Sequence, residues 1–201
     1  MTIDLRRIFG FALLGVLAIS VGDRFLLAEP PARAQRIISD WPKPSRLVAR
    51  AMIEKHGQPH KRSADSLTWY GLYRGKRTVV HRSATPEGVV EQVVLYRVPE
   101  DKAAEVASFD ERLKADQEAA ELSARTESVR TSFLVLNLAH EIASGFRDAA
   151  DARDFRDRQI RLSNAGKTPR YMESLLFEEP LPVVVPGGEE TAPTGKPLET
   201  P

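Results

Sequence analysis

The chain has 201 residues, no cysteine, 28% charged residues and a formal net charge of +1. That length suits one ordinary domain with extensions, and zero cysteines exclude disulfide staples, thiolate metal sites, cysteine nucleophiles and a lipidated N-terminal cysteine. Near-neutral charge argues against a dedicated nucleic-acid binder, and a 42% hydrophobic content is too high for disorder throughout.

Residues 1–34 read as an export signal. Arg6 and Arg7 precede an apolar run from Ile8 to Val21, too short for the roughly 20 residues of a spanning helix. Ala32-Arg33-Ala34 is an A-x-A peptidase site, and cutting after Ala34 would leave Gln35 as the new N-terminus. Asp23 and Arg24 make the segment between run and site longer than usual. The alternative is an uncleaved anchor over 8–28, in which Phe25-Leu26-Leu27-Ala28 extends the run past that charged pair. Membrane contact would come only through this segment.

Trp41-Pro42-Lys43-Pro44 reads as an exposed opener, with Ser45 as the N-cap of a helix over 45–56. Leu47, Val48, Ala51 and Met52 are expected on its buried face, and Gly57 with Pro59 should stop it. Leu67-Thr68-Trp69-Tyr70, Arg77–Arg82 and Val89–Val98 follow as strands separated by Gly-containing turns, which predicts an antiparallel meander. Pro99 opens a helix to about Phe109. The stretch 111–125 is helical by composition, although Leu113/Ala115 and Leu122/Ala124 alternate as in a hairpin.

Residues 127–144 predict a helix apolar around most of its circumference and therefore central to a core. Arg130, Asn137, Glu141 and Ser144 form its one polar stripe. A last helix over 149–163 has Phe155 and Leu162 to dock it. From Pro180 onward six prolines and three glycines predict a disordered tail, because little apolar surface offsets the entropy of ordering.

The chemical inventory is thin. His56 and His60 flank Gly57 and Pro59, so they sit in a turn instead of on one helix face. His140-Glu141 begins an H-E-x-x-H zinc motif, but Ser144 stands where the second histidine belongs. Ala143-Ser144-Gly145 lacks the G-x-S-x-G elbow, and Gly71–Lys76 lacks the spacing of a phosphate loop. These patterns point to no catalytic residue, metal ligand or cofactor.

Charge is unevenly distributed. Residues 43–98 hold eleven Lys/Arg against four Asp/Glu, whereas 99–163 hold ten against fourteen. The basic half suggests a patch for an envelope protein or an anionic surface, either lipid headgroups or a cell-wall polymer. Arg74, Lys76, Arg77 and Arg82 would supply the charge, with Trp69 and Tyr70 beside them. The opposing explanation is that acidic helices cover a basic sheet and the charges pair internally.

Two resemblances bear on this. Ser45–Lys55, Gly57-x-Pro59 and Trp69-Tyr70 resemble the helix–G-x-P–strand entry of outer-membrane assembly lipoproteins of the SmpA/OmlA type over about 45–98. The chain lacks their lipidated cysteine. Over about 40–177 it is similar to a family of uncharacterised exported bacterial proteins. The shared residues are Trp41-Pro42-x-Pro44-Ser45-Arg46-Leu47, Gly57-x-Pro59 and Phe133-Leu134-x-Leu136-Asn137-Leu138-Ala139-His140-x-Ile142. That resemblance implies a second hairpin at 111–125 and brings no activity with it.

The expectation is one α+β domain over 35–179, with an antiparallel sheet of three to five strands packed on three or four helices. Its expected role is that of an exported, non-enzymatic binding module using the sheet edge or the basic turns. The alternative is a small-ligand binder or hydrolytic enzyme, with Trp69, Tyr70, His81 and His140 as pocket chemistry.

Overall fold

The computed structural model describes residues 32–177, so the expected export signal up to residue 31 and the proline-rich stretch from Pro180 lie outside the described residues. Six strands form one sheet: β1 (Lys61–Arg62), β2 (Ser66–Tyr70), β3 (Arg77–Thr85), β4 (Gly88–Leu95), β5 (Leu113–Asp116) and β6 (Glu121–Thr126). Their order is β1-β2-β3-β4-β6-β5, and every pairing is antiparallel. Five helices accompany them: α1 (Ala32–Ile38), α2 (Lys43–His56), α3 (Glu100–Phe109), α4 (Val129–Ala143) and α5 (Ala149–Asn164). The class is α+β, as expected. The sheet exceeds the expected size by the short edge strand Lys61–Arg62, and 111–125 is the hairpin that the resemblance implied, against its helical composition.

Helix propensity loses in that hairpin for a physical reason. Propensity differences are worth a few tenths of a kcal/mol per residue, about 0.7 at most for ordinary residues. Alternation buries Leu122 and Ala124 completely against α4, while Arg125 and Glu121 point to the other face. Burying one leucine contributes about 1.5–3 kcal/mol, so the period-2 pattern wins.

Pairing register puts Leu67, Trp69, Val80, Val94, Leu122 and Ala124 on one face of the sheet. Both apolar clusters draw their strand residues only from that face. One packs Leu67, Trp69 and Val80 under α1 and α2, and the other packs Val94, Leu122 and Ala124 under α3, α4 and α5. Eleven residues of α4 are buried, including Phe133 through Ala139, so it is the central helix. Ser128 caps it by accepting a hydrogen bond from the Thr131 N–H.

Several local expectations are corrected. Trp41 is buried, not exposed, with its indole N–H donating to the Ala64 carbonyl at 2.9 Å. It belongs to a core that includes α1, a helix whose first three residues, Ala32-Arg33-Ala34, the sequence reading assigned to the leader as its cleavage site. Ser45 lies inside α2, and its hydroxyl donates to the Arg82 carbonyl at 2.6 Å. The helix starts two residues earlier because Pro44 fits its first turn, where no N–H partner is needed. The buried face is Ser45, Ala49, Met52 and Ile53, which turns Leu47 outward at 53% exposure. Leu162 is also exposed, and Phe155 alone of the expected pair docks α5.

Gly88 occupies a close approach between β4 and the end of β6. Its φ is +136°, and a Cβ there would stand 2.0 Å from the Thr126 carbonyl carbon. Gly88→Ala should therefore destabilise the domain by at least about 2 kcal/mol, read as a lower urea midpoint at unchanged slope.

Candidate functional site

The expected basic patch is largely neutralised within the fold. Glu121 on β6 accepts Lys76 Nζ at 2.6 Å and both terminal nitrogens of Arg77 at 2.7 and 2.9 Å. Arg77 lies opposite Val93 and Glu121 opposite Leu95, so the two meet diagonally across β4 on the helix-free face, beside the fully buried Val93. The Arg77 hydrogen bonds, with Lys76 beside them, hold the Glu121 carboxyl at about 2, far below its ordinary value of 4.5. On the same face His81 contacts Glu91 at 2.9 Å, and that carboxyl is also lowered by its bond to His81. Arg82 stands 4.0 Å from Asp65. Arg74 follows Tyr73 in a left-handed turn, with φ of 62° and 57°.

The aromatic pair at the patch divides. Trp69 is fully buried under α2, its indole N–H donating to the Gly57 carbonyl at 3.1 Å, so it offers no surface. Tyr70 is half-buried beside His60, with Lys61 Nζ 5.6 Å from its ring centre. The two sheet edges are short and carry charge: Lys61–Arg62 at one side, Leu113-Lys114-Ala115-Asp116 at the other. Such edges resist strand addition.

A different feature has the shape of a site. The C-terminal half of α4 and the segment after α5 enclose a cavity of about 380 Å³, lined by Asn137, His140, Glu141, Ser144, Phe146, Arg170, Tyr171 and Leu176. Positions 137, 141 and 144 are three of the four residues of the polar stripe read on this helix. Their spacing carries them down one side, which is why they share a wall.

Asn137 builds the opposite wall. Its amide nitrogen donates to the Tyr171 and Ser174 carbonyls at 3.1 and 2.9 Å, and its oxygen accepts from the Leu176 N–H at 2.8 Å. These bonds strap residues 171–176 across α4. Glu141 accepts Arg147 Nε at 2.8 Å and the Tyr171 hydroxyl, which fixes the carboxylate in place. Burial, reinforced by Glu141, pushes the Tyr171 hydroxyl upward, so it stays protonated.

His140 stacks on Phe177 with ring centres 4.7 Å apart, and its Nδ1 meets the Tyr96 hydroxyl at 3.0 Å. Burial lowers its pKa and favours the neutral ring. In the tautomer in which Tyr96 donates to Nδ1, the imidazole proton sits on Nε2. Among the described residues, neither Nε2 nor the Arg170 guanidinium has a hydrogen-bond or ion-pair partner. Phe146 at 75% and Leu176 at 38% exposure complete the rim, two of the four large apolar side chains exposed among the described residues.

Of the expected pocket residues only His140 is here. His81 and Tyr70 face the side of the sheet away from the helices, and Trp69 is in the core, so the four are not brought together. Arg170, Phe146 and Leu176 carried no sequence signal, because they reach the site through a turn after α4 and a strap after α5. Among the described residues no group of three His, Asp or Glu is placed to hold a metal ion.

The signal-cleavage pair is also placed. Ala34 is fully buried in the core under α1 and α2, and Gln35 is exposed, its amide oxygen 3.5 Å from Gln58 Nε2. Comparison with protein-family models, curated proteins and solved structures gives no match for this chain.

Glu121 sets an acid limit. Its folded pKa is depressed, so its stabilisation is complete above pH 4.5 and is lost as the pH falls toward about 2. Allowing for screening at its partly exposed partners, the expected loss is about 1–2 kcal/mol. Glu121→Gln should lower stability at pH 7 and flatten its fall between pH 5 and 2, measured by urea titration at each pH.

Proposed function

We propose that the protein is an exported cell-envelope module that binds without chemically transforming its ligand, and that the cavity beside His140 is its binding site. The observation carrying this reading is that the Arg170 guanidinium and His140 Nε2, neither with a partner among the described residues, are set beside exposed Phe146 and Leu176. That combination suits a small molecule with an apolar body and one anionic group: the guanidinium and imidazole N–H meet the anion, and the two apolar side chains cover the body. Glu141 is held by Arg147 and Tyr171, which favours a structural part for its carboxylate over proton transfer.

Export is supported by Arg6, Arg7 and the apolar run behind them. Burial of Ala34 favours the anchored form over cleavage, since cutting after Ala34 would remove a core methyl and the first turn of α1. The basic turns are a weaker contact surface than the sequence suggested, because Lys76 and Arg77 are already paired with Glu121.

Octanoate should bind the full chain in calorimetry, while octylammonium should not. Arg170→Ala should weaken octanoate about tenfold, the loss of one charge-assisted contact of about 1.4 kcal/mol. Equal binding of the cation, or an unchanged affinity in the variant, would rule out this ligand class. For localisation, N-terminal sequencing of the membrane fraction should return Met1. Gln35 as the first residue would establish cleavage, and intact Met1 in the cytosol would end the export reading.

A further inference from the structure

We propose that the cavity beside His140 takes up a proton together with its anionic ligand, so that acidification tightens binding. This inference rests on the cavity being the binding site and adds how that site responds to pH. A neutral imidazole has one N–H, and His140 has two places for it: the Tyr96 hydroxyl, 3.0 Å from Nδ1, and the cavity at Nε2. The protonated ring has an N–H for each. Tyr96 can donate to Nδ1 or accept from it, so the ring gains a charge without leaving its stack on Phe177.

The surroundings of His140 hold it neutral while the cavity is empty. Burial opposes the charge and outweighs the attraction of Glu141, its neighbour on α4. That carboxylate is already occupied by Arg147 and the Tyr171 hydroxyl. Arg170 lines the same cavity as a second cation, and Tyr96, kept protonated by burial, brings no charge. Helix α3 packs Val106 and Phe109 into this core, with Ala103 against it, while its Lys102 and Glu105 pair with each other at 2.9 Å.

An anion meeting Arg170 and Nε2 reverses that balance. It neutralises the guanidinium and accepts a charge-assisted hydrogen bond from the imidazolium. By linkage, the factor by which the proton raises anion affinity is the factor by which the anion raises proton affinity. The pKa of His140 lies below 6.5 in the empty site and is raised by the bound anion. Affinity therefore climbs as the pH falls through the bound-state value and levels off below the empty-state one. The other three histidines titrate outside the cavity, His56 against Tyr73, His60 beside Tyr70 and His81 against Glu91.

Octanesulfonate is the probe, because unlike octanoate it stays fully anionic at every pH used. Calorimetry on the full chain at about pH 8 and about pH 5.5, in buffers of different ionisation enthalpy, reads affinity and proton uptake together. The expected result is an affinity about tenfold higher at the lower pH, with net proton uptake on binding between the two. His140→Gln keeps an N–H donor that cannot be charged, and should bind equally at both pH values with no uptake. A second measurement needs no change at position 140: the His140 ring C–H resonance, assigned by elimination through His56→Gln, His60→Gln and His81→Gln, should titrate about one pH unit higher when octanesulfonate saturates the site. Equal binding at both pH values without uptake, a pH dependence that survives His140→Gln, or a resonance unmoved by the ligand overturns the coupling and leaves the binding site standing. Binding of neither octanesulfonate nor octanoate at either pH overturns both.

Discussion

A helix that is apolar on nearly every side cannot rest on a protein surface; it has to be enclosed. Helix α4 imposes that demand here. Its Phe133–Ala139 run is buried throughout, and it is covered below by Val94, Leu122 and Ala124 and around by α3, α5 and the strap ending at Phe177. The second hairpin is part of this enclosure. Leu122 and Ala124 supply the floor beneath α4, so the strand pattern at 121–126 is selected by what lies above it. Asn137 is tolerated inside the same helix because all three of its hydrogen-bonding contacts go to the backbone of the strap.

Enclosing α4 on one face leaves the other face of the sheet to polar chemistry, and the chain handles it by pairing. Glu121 draws Lys76 and Arg77 across β4, and Glu91 meets His81. Glu121 comes from the acidic later segment and its partners from the basic meander, whereas His81 and Glu91 pair within the meander. The net charge of +1 is thus a cancellation that is partly spatial. Lys43 and Arg50 on α2 and Arg62 on β1 are exposed and make no ion pair among the described residues.

The same enclosure creates the cavity. A strap must cross the end of α4 to complete the core, and the polar stripe of the helix then faces the strap and not solvent. Asn137 and Glu141 are used in holding the two together, while His140, Arg170, Phe146 and Leu176 are left at the opening with donor and apolar capacity unspent. The cavity is a by-product of how the central helix is covered. Such cavities are hard to see in a sequence because half of the wall arrives from 34 to 37 residues away in the chain, as the bonds from Asn137 to Tyr171 and Ser174 show.

By itself the sequence determined the α+β class, the meander, the central place of α4 and the polar stripe that became a cavity wall. Each depends on a period of 2 or 3.6 read over neighbouring residues, which is local information. Only the tertiary structure decided the rest. The rotation of α2, which turned Leu47 outward and Ser45 inward, depends on contacts with Trp69 and the Arg82 carbonyl. The burial of Trp41 and Ala34 depends on α1 folding back along α2. The fate of Lys76 and Arg77 depends on Glu121, some 45 residues later in the chain. In each case a local propensity worth tenths of a kcal/mol was overruled by burial or charge pairing between distant segments, and no local pattern encodes that competition.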